Sequence, residues 1–313
     1  MIHLVVPGLL GAFPRFEETG EAPRLPALER LLARGDKIPG PASYPQALFA
    51  LYGIAGEEPL PTAPVCYYAD SGGEPETRYL LHADPIHLRP DQDRLLGFDF
   101  RRQPLGGEVA SALVEAFNRH FAEDGLELIA PHPTRWYLAL EREPDVRFQP
   151  LAEILGRNID LFLPQGADAG QWRAWMNEVQ MLFHSLPVND ERVAGGRLPV
   201  NGLWFSGGGY LPSKVPGGFA QVSGECCLLQ GLDMLSSGGG EDELIVEHGP
   251  GRAVLEGDHD AWQRAIVALN VRLQSLMDKE LRLYACDGQA WHWQPTMRRR
   301  WWRGRKAFGQ LAR

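Results

Sequence analysis

In the last third of the chain, short apolar runs alternate with amphipathic stretches of helical period, and this alternation constrains the fold more than any other feature. Residues 202–205 read as a strand entering a glycine loop at 206–209. A helix over 224–235, a strand over 243–247, a helix over 261–277 and a strand over 281–285 follow. Strands separated by helices pair in parallel, because each helix supplies the crossover that a parallel connection needs. At the other end, residues 2–6 form a short apolar run that stops at Pro7-Gly8. That is the pattern of a strand buried on both faces, with a loop at the carboxyl edge where open α/β sheets bind ligands.

The middle of the chain reads differently. Helical spacing over 25–32 and 47–52 is followed by strand candidates at 65–69 and 78–83, separated by the turn Asp70-Ser71-Gly72-Gly73. An amphipathic helix over 108–121 precedes strands at 126–130 and 136–140, and a second long helix covers 172–186. Asp84-Pro85 reads as a turn into this region, with 88–95 beginning a helix. The expected organisation is an α/β core from 1–82 and 206–313, an α+β insert over 83–205, and a flexible link at 236–240.

A length of 313 residues accommodates such a core with an inserted module. No stretch approaches the roughly 18 apolar residues needed to cross a bilayer, so the first run is expected to be a strand in a cytoplasmic protein. Cys66, Cys226, Cys227 and Cys286 lack the spacing of a zinc site or a disulfide framework and are expected to be core thiols. The net charge of −9 argues against a general nucleic-acid binder. The tail from Met297 is the exception: it carries Arg298, Arg299, Arg300, Arg303, Arg305, Lys306 and Arg313 without an acid, around Trp301 and Trp302. Such a segment suits contact with phosphates, anionic lipid or an acidic partner; the favoured expectation is a solvated final helix with its tryptophans packed on the body.

The stretch HSLPVNDERVAGGRLPVNGLWFSGGG, residues 184–209, resembles the HPVN-x-x-R…G-x-x-P-x-N-x-x-W-x-x-G-x-G segment of archaeal-type, cofactor-independent phosphoglycerate mutases, members of the alkaline phosphatase superfamily. RLPALERLLARG, ALFALYGI, GDHDAWQRAIVALNVRL and LRLYACDGQ resemble other segments of that family in the same order. The resemblance implies an alkaline phosphatase-like core with a mainly parallel sheet and an inserted α+β domain. It also implies chemistry with two metal ions and a serine nucleophile, and the corresponding positions here have changed. The first strand runs VVPGLLG where the family has a ligand Asp. The nucleophile position falls on Tyr44, next to Ser43 and Pro45. Two further ligand positions fall on Gly251 and Leu255, and the terminal Asp-His pair is reduced to Asp287-Gly288. Asp287, His292 and Ser43 are the remnants, and two-metal phosphoryl transfer needs more ligands than these.

What survives is the signature. Arg192 offers a planar fork for a carboxylate or phosphate, and the amides around Gly207 and Gly209 can approach an anion closely. Asn189, Asn201, Trp204 and Arg135 complete the anion-binding candidates; the same residues also suit turn capping and packing. A second cluster, HADPIHLRPDQD, brings His82, Asp84, His87 and Arg89 together without a known metal spacing. This motif combined with the signature resembles bacterial RpfE-type regulatory proteins. The expected function is therefore a non-catalytic, regulatory relative of the mutases that binds a small phosphorylated or carboxylate metabolite or a protein partner. No cofactor is expected. The alternative is an active mutase or phosphatase using manganese or zinc, its site rebuilt from His82, Asp84, His87, His248, Asp258, His259, Asp287 and His292.

Overall fold

The chain opens with β1 (Ile2–Val5), four residues that are all buried. A computed structural model of the protein describes residues 1–11, 23–56, 59–304 and 308. Helix α1 (Pro26–Arg34) starts with a proline and has no capping side chain of its own. Buried Asn270 supplies the cap from a distant helix, its Oδ1 accepting from the Ala27 and Leu28 amides at 2.9 and 3.2 Å. After β2 (Asp36–Pro39) comes α2 (Tyr44–Leu51), capped by Ser43.

The chain then runs through α3 (Thr62–Asp70), the long β3 (Tyr79–Asp91), β4 (Arg94–Phe98), α4 (Gly107–His120), β5 (Leu126–His132), β6 (Arg135–Leu140), the short α5 (Leu151–Ile154), α6 (Ala169–His184), α7 (Pro187–Ala194) and β7 (Gly202–Gly209). It continues with β8 (Gln221–Ser223), α8 (Cys227–Leu235), β9 (Glu243–Val246), α9 (Gly249–Leu255), α10 (His259–Leu276), β10 (Leu281–Tyr284) and β11 (Gln289–Trp293). Two compact units result. One comprises Met1–Gly56 with Lys214–Arg313, the other Glu57–Ser213.

In the first unit the strand order is β2-β11-β10-β1-β9-β8. β10, β1, β9 and β8 are parallel, β11 runs antiparallel to β10, and β2, antiparallel to β11, points the same way as the parallel set. The architecture is thus α/β with a mainly parallel sheet, as expected. Ile2, Leu4 and Val6 share a core with Leu28 and Leu31 of α1 and with Trp262, Ile266 and Leu273 of α10. Val5 and Val246, on the opposite face by strand alternation, are also fully covered.

The second unit is an antiparallel α+β module built on β4-β3-β6-β5, with β7 also paired to β3. Leu81, Ala83, Leu138 and Phe205 pack on Leu113 and Phe117 of α4 and on Trp172 and Phe183 of α6. The expected boundaries at 82/83 and 205/206 fall inside β3 and β7, where His82 and Ala83 pair with Ser206 and Phe205. The division instead falls at 56/57 and 213/214.

Local differences have similar causes. Residues 65–69 lie in a helix, because a short apolar run between turns fits either period. Residues 88–95 form a hairpin rather than a helix, turning at Gln92 with φ 55°. The loop expected at 206–209 is the end of β7, where a bulge opens opposite Leu80 and His82. Near the end, Pro295–Arg299 makes only a 3-10 turn, and Trp301 and Trp302 are 78% and 66% exposed rather than packed on the body. Arg300 and Arg303 both bind Asp36. Arg305, Lys306 and Arg313 lie outside the described residues.

Candidate functional site

Parallel register brings the carboxyl ends of β1, β9 and β10 to one edge, which gathers Pro7-Gly8, His248 and Cys286-Asp287. At the end of β1 the backbone itself fills the space. Gly8 has φ 71°, and a side chain there would come within 2.8 Å of the Gly251 Cα. The Gly8 carbonyl is taken by the Trp262 indole N–H at 2.9 Å. Beside this edge, Tyr44 and His248 meet through Oη and Nε2 at 3.2 Å, and Ser43 Oγ accepts from the Gln46 amide as a helix cap.

The remnant pair does not converge. Asp287 lies in the turn after β10 and accepts from the Gln289 amide at 3.1 Å. His292 pairs with Arg282 at the amino end of β10 and binds Glu280 at 2.7 Å. Asp258 caps α10 through the Ala261 amide, and His259 stacks on Trp262. Among the described residues no group of three or more His, Cys, Asp and Glu side chains is placed to hold a metal ion.

In the second unit, strand alternation puts His82 and Asp84 on one face of β3 and His87 on the other. His82 Nε2 lies 3.2 Å from Thr62 Oγ1, and burial pushes its imidazole down to about 4. Asp84 keeps part of its surface in water, yet the protein crowded around it, with Asp99 nearby, pushes its carboxyl up to about 7. His87 Nδ1 is 3.0 Å from the Pro199 carbonyl, and Arg89 stacks over Phe98.

The signature residues are tied into the fold itself. Asn189 donates to the Phe183 and Val200 carbonyls and accepts from the Val200 amide, all at 2.7–2.8 Å. Asn201 donates to the Leu88 carbonyl and accepts from its amide, so its side chain mimics one more rung of backbone pairing. Trp204, fully buried, donates to the Gln149 carbonyl. Gly207 and Gly209 let β7 lie against α3: added side chains would come within 2.0 Å of Thr62 Oγ1 and 2.4 Å of Pro61 Cβ. Arg135 grips Asp70 with two 2.7 Å bonds, and the Tyr137 hydroxyl donates to the same carboxylate.

Arg192 is 1% exposed and donates through Nε to the Leu198 carbonyl. Its guanidinium lies over Phe100 at 5.3 Å, and its terminal nitrogens meet no acceptor among the described residues. Desolvation holds its pKa below the usual guanidinium range. A cavity of about 450 Å³ opens beside α7, lined by residues including His184, Asn189, Asp190, Pro199 and Asn201.

The chain is 23% identical over 267 residues to a 2,3-bisphosphoglycerate-independent phosphoglycerate mutase of Methanosarcina mazei, covering 80% of this chain and 65% of that protein. It is 26% identical over 210 residues to the protein of the same name from Methanosarcina barkeri, covering 63% and 51%. The sequence is related to cofactor-independent phosphoglycerate mutases. It spans about two thirds and one half of these relatives, and no family model matches it. Among solved structures it is similar to the cofactor-independent phosphoglycerate mutase of Thermoplasma acidophilum, with TM-score 0.39, 18% identity and coverage of 94% and 89%. A Pyrococcus horikoshii protein gives TM-score 0.48, 11% identity and coverage of 94% and 87%.

Sequence reasoning missed Cys226 and Cys227, read as core thiols. Cys66 is buried, but Cys226, Cys227 and Cys286 are only partly so. Cys226 reaches Cys227, His248 and Tyr44. The adjacency of the two cysteines was visible; the approach of Tyr44 and His248 was not. No described helix is long and apolar enough to cross a membrane.

Proposed function

We propose that this protein is a non-catalytic relative of the phosphoglycerate mutases, with an alkaline phosphatase-like core, that acts in regulation by binding a small phosphorylated or carboxylate metabolite or a protein partner. The close packing of Pro7-Gly8 on Gly251 carries this reading, because backbone occupies the edge where the resemblance places metal ligands. Two-metal chemistry needs several hard or imidazole ligands around ions about 4 Å apart. The candidate residues do not fit that need: Asp287 and His292 sit at opposite ends of a hairpin, and His82 and His87 lie on opposite faces of a strand. The buried, partly unpartnered guanidinium of Arg192 supports an anion as the ligand class. The likeness of the signature and of the His82–Asp93 stretch to RpfE-type proteins supports the regulatory role.

The alternative is an active, manganese- or zinc-dependent mutase or phosphatase, favoured by the mutase names of the sequence relatives. Incubating the full chain with 3-phosphoglycerate and manganese, followed by phosphorus NMR and metal analysis, separates the two. No 2-phosphoglycerate or free phosphate above the buffer control is expected. Turnover with stoichiometric bound metal establishes the alternative.

A further inference from the structure

Cys226 and Cys227 are consecutive residues at the start of α8, and their thiols hydrogen-bond each other. Cys226 is also in hydrogen-bond contact with His248 and Tyr44. All four residues keep partial contact with solvent. Cys227 opens a nine-residue helix whose N-cap side chain makes no capping bond, and a helix start favours negative charge at that position. The hydrogen bond to Cys227, and then burial, push the Cys226 thiol up to about 12, so it stays protonated until a base takes its proton. His248 is within reach to do so.

We propose that Cys226 and Cys227 form an oxidative modification site, closing to a disulfide between neighbouring residues when the protein meets a hydroperoxide and reopening with a dithiol reductant. In the first step the Cys227 sulfur, its proton released to solvent, attacks hydrogen peroxide. An S–O bond forms, the O–O bond breaks, and the departing hydroxide takes up a proton and leaves as water. Cys226 sulfur then attacks the sulfenic sulfur, passing its proton through His248 to the departing hydroxide. The S–S bond forms, the S–O bond breaks and a second water leaves. Two electrons pass from the sulfurs to the peroxide, so two thiols and one peroxide give one disulfide and two waters. Neighbouring Cα atoms about 3.8 Å apart are closer than the roughly 4.4 Å lower limit of ordinary disulfides, which favours easy reduction.

The test treats the full chain with limiting hydrogen peroxide, blocks remaining thiols with N-ethylmaleimide and examines the peptides by mass spectrometry. The peptide holding Cys226 and Cys227 should lose two hydrogens and carry no maleimide, Cys66 and Cys286 should be alkylated, and dithiothreitol should restore both thiols. In Cys226→Ser, Cys227 should instead be trapped by dimedone as a sulfenic acid. His248→Asn, checked for native circular dichroism, should close on the order of 10²-fold more slowly. Alkylation of both thiols after peroxide, oxidation of Cys286 at the same rate, or an unchanged rate in His248→Asn would each overturn the assignment.

Discussion

Asn189 makes three hydrogen bonds from a nearly closed position, so Asn189→Ala leaves two carbonyls and an amide without their partner. The expected cost is about 3 kcal/mol, read as a fall in the urea midpoint. His82 and Asp84 act on pH dependence in opposite senses. The folded chain keeps Asp84 protonated up to about 7 against a reference of 3.8, so it binds more protons than the unfolded chain between those values, and stability from this group falls as pH rises. It keeps His82 neutral down to about 4 against 6.5, so stability from this group is lost as pH falls through that window. Relative to the native chain, Asp84→Asn should gain roughly 1–2 kcal/mol at pH 8 and nothing near pH 4, a range discounted because Asp84 keeps contact with water. His82→Asn should lose less stability on acidification. Urea midpoints at pH 4.5 and 8 check both. The density of polar residues in the HADPIHLRPDQD stretch was legible in the sequence. Their separation onto two faces was not, because the misread turn at Asp84-Pro85 hid the alternation of β3.

That misreading belongs to the element scale and has a backbone cause. Proline usually argues against an interior strand position, since it has no N–H to give the ladder. In β3 the Ile86 carbonyl accepts from the Asn201 amide, so even-numbered backbone groups face β7 and the Pro85 nitrogen faces the other side. On that side pairing with β6 ends at His82 and pairing with β4 begins at His87. Pro85 therefore sits where no ladder bond is required. The long helices α4, α6 and α10 were legible because their apolar spacing extends over several turns, whereas β2 and β11 gave weaker signals: four residues in one, tryptophans at alternate positions in the other. At the C-terminal end, Trp301→Ala with Trp302→Ala should shift stability by no more than about 0.5 kcal/mol, because both rings are mostly in water; thermal melting checks this.

At the scale of the molecule, the two units differ in how their chains are assembled. Residues 57–213 are contiguous and carry their own apolar cores, so expressed alone they should melt cooperatively and retain the native far-ultraviolet circular dichroism of a mixed α+β module. The other unit is made from two distant segments, and β1 lies between β9 and β10. On a ribosome, at about 5–20 residues per second, Ile2–Val5 waits roughly 10–50 s before its neighbours are synthesised. Throughout that interval an uncovered apolar strand has no sheet to join, so nascent chains stalled before residue 243 should be captured by holdase chaperones through Ile2–Val5 even after the contiguous module has become protease-resistant.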